Sequence, residues 1–376
     1  SNYLYATMYY PSSSNGTAGF YTNGHRGTPN LTWEKQKQTN IGVDLAFFNR
    51  RLSVTADVFF TRNKDLLMSH SLATSTGYSS TTENVGDLDN RGVEVSINAT
   101  PVATRDFTWN IGLNMSHDKN KIKRLYGGVT RLLNVPTESS VPDREGNLFV
   151  GEALHNIYCY KFGGIANEDN RELWEGIDYR GRTVGLGDVF PLDLSGPDGK
   201  PDGVIDNYDR TITAYKDPKL YGGFNTDLSW KGLTLNAIFT YSIGGHRLSG
   251  YYEGLISSVG LSHGSPELIG NYWTPENTGA YFPRKITNAT GYTPFGAGDT
   301  DRYIQNTSYL RLSTLTLSYI VPAKITNRIR VNNLRVYFTA SNVFTATKDK
   351  GFDPEFGDNL YPNERSYTLG LSFSIF

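Results

Sequence analysis

The sequence is short of several things, and each shortage removes a class of protein. It has one cysteine, Cys159, which excludes an intramolecular disulfide framework and any cysteine-cluster metal site. No apolar run approaches the ~20 residues that a membrane-crossing helix requires. The net charge is −1, so nothing pulls the chain as a whole toward nucleic acid or an acidic surface, and no nucleic-acid partner is expected. The six histidines are dispersed, with no H-E-x-x-H and no pair at i, i+4. The opening Ser1-Asn2-Tyr3 lacks the basic and apolar regions of a signal peptide. A secreted protein would have lost that segment, and a fragment would start inside a longer chain.

What is abundant points to β structure. Aromatics make up 13% with 25 Tyr, there are 39 Gly, and hydrophobic residues reach only 38%. A length of 376 residues would suit two or three soluble domains, but one long β architecture fits it as well. The dominant period is two. Ile41, Val43, Leu45 and Phe47 alternate with polar or small residues, as do Leu52, Val54, Ala56 and Val58. The same holds for Val93 to Ala99, Trp109 to Met115, Leu233 to Tyr241 and Tyr367 to Ile375. Each segment is about 9–11 residues, the length of a tilted transmembrane strand, with every second residue turned to lipid.

Short and long connections alternate. Asn49-Arg50, Pro101 to Asp106, Lys231-Gly232 and Ala323 to Asn332 are short; Asp65 to Leu88, Lys119 to Glu152, Gly245 to Gln305 and Phe344 to Pro362 are long. Transmembrane barrels have short periplasmic turns and long outer loops. By that parity the C-terminus is periplasmic and the long loops are extracellular. His155 to Ala166 and Lys219 to Trp230 both read as downward strands, so an upward strand around Glu172 to Asp188 is expected between them; otherwise the first belongs to a loop. The total expected is about 11–12 strands of a transmembrane antiparallel β-barrel. Aromatics near strand ends, among them Phe47, Phe48, Phe107, Trp230 and Tyr319, suit interfacial girdles. The competing architecture is a soluble secreted sandwich or propeller, whose strands average about 5–6 residues.

Several segments resemble the SusC/RagA-type TonB-dependent transporters of Bacteroidetes. Asn30-Leu-Thr-Trp-Glu-Lys-Gln-Lys-Gln-Thr-Asn-Ile-Gly-Val-Asp44 is similar to that family's "NLKWE…NIGLD". In order follow Phe47 to Leu52, Thr61 to Leu67, Asn84-Val85-Gly86 and Asn90-Arg91-Gly92-Val93-Glu94. Ser308-Tyr309-Leu310-Arg311-Leu312, Leu315 to Tyr319, Val321-Pro322, Arg335 to Asn342, Gly351-Phe352-Asp353-Pro354-Glu355, Tyr361-Pro362 and Arg365 to Gly370 complete the set. The resemblance implies a barrel of about 22 strands around a plug. Residues 1–376 would then be its C-terminal portion, with the N-terminal plug and first strands not in this chain. It further implies import of large nutrients, glycans or oligopeptides, across the cell outer membrane. The implied partners are a SusD-like lipoprotein, the TonB complex acting through the missing part, outer-membrane lipid and the barrel assembly machinery. Phe376 falls on the opposite phase to Ile375, Phe373 and Leu371, out of step with the terminal aromatic usual in such barrels.

Three constellations bear on chemistry. The acidic, Gly-rich stretch Asp193 to Asp209 can be laid on a calcium loop, with Asp198, Asp202, Asp206 and Asp209 as candidate ligands of a structural calcium. Lys200 at the third position and Asp in place of the bidentate Glu depart from that pattern. A solvated turn-rich loop is the plainer account, and no cofactor is required. Gly260-Leu-Ser262-His263-Gly264 spells G-x-S-x-G, but no strand leads into it and Pro266 follows; no enzymatic activity is expected. Tyr251, Tyr252, Tyr272 and Trp273 lie in the longest aromatic loop and are candidates for substrate or partner contact, against the plainer role of packing that loop. A passive porin or adhesive barrel and a soluble carbohydrate-binding β domain remain the alternatives to active import.

Overall fold

A computed structural model describes residues 4–375 apart from 15–16, 23, 135–142, 257–263, 287–291, 297, 330, 358–360 and 362. Its main feature is one antiparallel sheet. The strands on its path are β1 (Lys35–Phe47), β2 (Leu52–Ser71), β3 (Ser80–Ala103), β4 (Phe107–Leu125), β5 (Leu220–Trp230), β6 (Leu233–Ile243), β7 (Tyr309–Ile320), β8 (Val331–Thr347) and β9 (Ser366–Ile375). Their spatial order is their sequence order, so the sheet is a plain meander. The two-residue strand His25–Arg26 adds to β3 in parallel and brings the sheet to ten strands.

Alternation in the sequence becomes rows in the sheet. Leu369, Phe338, Leu317, Leu235, Leu228 and Trp109 are in register across six strands. A parallel row holds Leu371, Val336, Tyr319, Leu233, Trp230 and Phe107. These rows are not covered by protein: Leu369 is 75% exposed, Leu317 43% and Trp230 56%. A soluble protein seldom leaves so continuous an apolar face open to water. Lipid is the solvent that suits it. The other face carries Thr368, Thr339, Thr316, Asn236, Asp227 and Asn110 in one row.

The short turns all fall at one end. Lys231 and Gly232 connect β5 to β6 with positive φ at both positions, 46° and 88°. That is the two-residue hairpin whose twist matches the strands, and glycine fits its second position. Lys231 N donates to Asp106 O at 3.0 Å and Ile320 N to Gly232 O at 2.9 Å, tying this turn to the β3–β4 turn and to the end of β7. The β7–β8 connection contains a short helix, Ala323–Thr326.

Two expectations are corrected. Among the described residues the sheet has ten strands against the expected 11–12, because the segment between β4 and β5 stays out of it: β5 pairs directly with β4. Within that segment, Asn156–Tyr160 pairs with Arg210–Tyr215, and Phe162–Ile165 with Val189–Pro191. The stretch from Glu172 to Asp188 contains the end of a 3-10 helix and turns, not a strand. Strands also run further than alternation indicated, β2 for 20 residues and β3 for 24. Phe376 and residues 260–263 of the G-x-S-x-G stretch lie outside the described residues.

The chain divides into two compact units. The first comprises Ser1–Ile41, Val58–Gly92 and Asp118–Asn156. Ion pairs run across its strand extensions: Lys35–Asp65 at 3.0 Å, Arg62–Asp89 at 2.6 Å and Arg124–Asp87 at 3.0 Å. The Asn84 side chain acts there as a piece of β-ladder, accepting from Thr32 N and donating to Thr32 O, both at 2.9 Å. The second unit comprises Gly42–Asp57, Val93–His117 and Ile157–Phe376. It contains the rows described above.

The rows assign opposite fates to neighbouring residues. Leu317→Lys places a charge on the lipid face and is expected to cost about 2–4 kcal/mol of barrel stability near mid-membrane. Thr316→Lys, one residue away on the polar face, should cost far less. Reversible urea unfolding of the whole barrel in vesicles measures both; equal losses would contradict the facing.

Candidate functional site: the polar wall and the long loops

The polar face is a ladder of hydroxyls and amides. Thr316 and Thr339 hydroxyls meet at 3.1 Å. The Asp227 carboxylate accepts from Asn236 Nδ2 at 2.5 Å and Asn225 Nδ2 at 3.0 Å. Thr100 donates to Asn110 at 2.8 Å, and Asn114 accepts from Gly223 N at 2.8 Å. Near the short turns the wall opens into a recess of about 240 Å³ lined by Arg50, Arg51, Asn98, Thr100, Asn110 and Asn225. Such a surface is wetted rather than buried, and its groups exchange easily with water or with polar solutes.

The long connections of the second unit fold around small cores of their own. Tyr160, Trp174, Tyr179, Phe190 and Phe295 form one. Tyr252, Ile256, Phe282 and Tyr303 form another. Asp188 is buried beside the first, where Arg284 grips it through Nε at 2.9 Å and Nη2 at 3.0 Å. Tyr292 OH hydrogen-bonds both residues. Burial pushes the Asp188 carboxyl up, against the opposing pull of Arg284 and the Gly185 N–H. Arg302 is stacked between Phe162, 4.2 Å from the ring centroid, and Tyr281 at 4.4 Å. Burial pushes the Tyr303 hydroxyl up to about 12.

A second charged cluster ties the last long loop to the sheet. Arg311 of β7, 4% exposed, donates to Asp353 and Glu355, both at 2.7 Å, and to Thr345 at 3.0 Å. Arg247 binds Asp349 at 2.5 Å and the Asp353 carbonyl at 3.0 Å. Lys350 reaches Glu267 at 2.6 Å, and that contact holds the Glu267 carboxyl below its usual range.

The predicted aromatic residues separate by role. Tyr252 and Trp273 are buried, 5% and 9% exposed. Tyr252 donates to Glu267 at 3.2 Å, and Trp273 lies against Gly187. Both pack the loop. Tyr251 and Tyr272 are each 40% exposed, with Tyr251 against Phe352 at 4.1 Å between centroids. Those two remain presented to solvent.

The acidic stretch does not gather its carboxylates. Asp209 is buried and accepts from Leu194 N at 2.7 Å, Ser195 N at 3.1 Å and Asp206 N at 2.8 Å. Burial raises its carboxyl, against the pull of those N–H groups. Asp198, Asp202 and Asp206 each accept from the backbone N–H two residues on. Among the described residues no group of three or more His, Cys, Asp or Glu side chains is placed to hold a metal ion. Each of these four carboxylates takes part in a hydrogen-bonded turn.

Sequence reasoning missed Asp188, Arg247 and Asp349 altogether. Arg311, Asp353 and Glu355 stood inside quoted motifs without a role. The signal was there in the pairing of an arginine on an apolar strand with a downstream Asp-Pro-Glu, since a buried guanidinium must find acids.

Comparison with known proteins decides the class. Residues 2–237 match the model of the TonB dependent receptor-like β-barrel family. The chain belongs to that family. TonB-dependent receptor P3 of Formosa agariphila is 31% identical over 92% of this chain and 34% of its own length. TonB-dependent receptor SusC of Bacteroides thetaiotaomicron is 29% identical over 92% of this chain and 32% of its own. Among solved structures, the RagAB peptide transporter matches at TM-score 0.79 with 26% identity, covering 98% of this chain and 38% of that one. The chain thus spans about a third of the length of the curated relatives it matches. The apolar rows are the lipid face of a transmembrane barrel, and the Thr/Asn face lines its lumen.

Two outcomes follow from this geometry. Arg311→Ala leaves Asp353 without its buried partner and is expected to cost about 3–5 kcal/mol locally. Limited proteolysis of the loop carrying Asp353 and Glu355 should accelerate while the barrel stays folded. The hydrogen-bonded turns predict no calcium dependence: thermal unfolding of the whole barrel with EDTA or with calcium should coincide, and a calcium-dependent rise would assign Asp198, Asp202, Asp206 and Asp209 to a calcium site.

Proposed function

We propose that this chain forms the C-terminal part of the wall of an energy-coupled importer of large nutrients, glycans or oligopeptides, in the outer membrane. The observation that carries this reading is the likeness to the RagAB peptide transporter over 98% of this chain, joined by SusC at 29% identity. In this reading the long connections face outward and the short turns face the periplasm. A SusD-like lipoprotein caps the long loops, and TonB supplies the energy through a part of the protein outside this sequence.

The geometry supports the assignment on physical grounds. A lumen wall of Thr, Asn and Ser offers donors and acceptors to a hydrated polar cargo and binds no single group tightly. Exposed Tyr251 and Tyr272 offer flat faces on which sugar rings or peptide side chains stack. The test is uptake. In a host carrying the intact gene, deletion of TonB should abolish accumulation of a labelled oligopeptide or glycan that the gene otherwise permits. Uptake that continued without TonB would replace this reading with a passive pore. Affinity purification of the tagged transporter should bring down a surface lipoprotein in near-equal amount.

A further inference from the structure

The lipid face is not uniform. At its long-loop end it opens into a groove of about 710 Å³ lined by Phe224, Tyr241, Ile243, Leu310, Ala346 and Lys348, among others. One lining residue, Tyr241, lies over Gly222 of β5. The Tyr241 ring lies flat across it, its hydroxyl donating to Asn114 O at 3.0 Å. A Cβ at 222 would meet that hydroxyl at 3.0 Å and the Asn114 carbonyl oxygen at 2.2 Å, so glycine is what lets the ring lie there. Phe224 stacks on Phe239 at 4.3 Å and forms a wall. Ile243 and Leu310 remain 50% and 37% exposed.

Among the described residues lining the groove, Lys348 is the one cation. Phe344, Ala346 and Lys348 follow the same phase of β8 and its continuation, so Lys348 stands where the apolar face ends. Its neighbours are committed elsewhere: Asp349 to Arg247 at 2.5 Å, Lys350 to Glu267 at 2.6 Å. Lys348 itself is exposed and carries no ion pair among the described residues. An apolar trough continuous with the lipid-facing rows, topped by an unpaired ammonium at the membrane rim, is complementary to one chemistry. Its ligand has acyl chains for the trough and an anionic headgroup for the lysine.

We propose that this groove is a specific binding site for a phosphorylated lipid of the leaflet at the long-loop end. One acyl chain lies along Tyr241 and Ala346, and the headgroup phosphate rests on Lys348. The site rests on the barrel fold and on the facing of its rows. It does not depend on active import, so uptake and lipid binding can fail separately.

The experiment is native mass spectrometry of the full-length transporter released from micelles, titrated with dioleoyl phosphatidic acid or with phosphatidylcholine of the same chains. The wild type should retain phosphatidic acid about fivefold better, the preference one near-surface lysine provides. Lys348→Gln should abolish the preference, and Lys348→Arg should keep it. Ala346→Trp should fill the trough and release both lipids, while heat-modifiable migration on gels confirms that each variant is folded. Inorganic phosphate at millimolar concentration should not displace the lipid. The proposal is overturned if Lys348→Gln keeps the preference, if Ala346→Trp retains lipid as well as wild type, or if free phosphate displaces it. It is equally overturned if the variants change oligomeric state with lipid retention intact, for then the groove is a protein interface.

Discussion

A backbone amide surrounded by hydrocarbon has one kind of partner available, a neighbouring strand, and an unmet one costs several kcal/mol. The meander from β1 to β9 answers that constraint strand by strand. Because spatial order equals sequence order, each added strand pairs with the one just made, and the alternation of side chains then fixes the register. A slip of one residue would turn the Leu369 to Trp109 row inward and send Thr368 to Asn110 to lipid. Two strands meet the constraint on one side only. Among the described residues, β1 and β9 each keep one edge unpaired within the sheet, and an edge facing lipid would leave its amides unmet.

The membrane-crossing parts were legible in the sequence because lipid on one side and water on the other impose a strict period of two. Val54 and Leu369 could hardly be placed otherwise. Legibility ended where that contrast ended. The extensions of β2, β3 and β4 are held by charged pairs such as Arg62–Asp89 and Arg124–Asp87, which break the apolar rhythm without breaking the ladder. The opposite error arose at Asn156–Tyr160. It is a strand, but all five residues are buried, because its partners are other loop segments on both sides. A continuous buried run has no phase to assign it to the wall. Within the site, sequence could not divide Tyr251 from Tyr252 or Tyr272 from Trp273. Adjacent aromatics have the same chemistry, and only the loop core around Ile256 and Phe282 decides which one of Tyr251 and Tyr252 turns inward.

The long loops use buried charge where the wall uses alternation. Burying Arg311 and Arg247 carries a desolvation cost that hydrophobic residues would not incur. What the charges add is direction. Arg311 has a donor for Thr345 on the adjacent strand, one for Asp353 and one for Glu355, so the loop can dock on the sheet in few ways. Asp188, Arg284 and Tyr292 fix another loop in the same manner. An apolar contact of equal area would tolerate sliding; a bidentate guanidinium does not. Loops built in this way hold a defined surface although no sheet runs through them.

These two devices divide the labour of recognition. On the wall, the Asp227 carboxylate is already answered by Asn225 and Asn236, and its neighbours are hydroxyls and amides that bind one polar solute about as well as another. In the proposed importer, a cargo passing this row would meet groups already answered by one another, with the guanidinium groups of Arg50 and Arg51 confined to the recess near the short turns. Under the proposed import function, discrimination falls to the loops, where exposed rings such as Tyr251 and Tyr272 stand beside buried ion pairs. A change of specificity in such a protein should thus run through the loop surface with the wall left intact, since altering a wall row risks the register on which every strand depends.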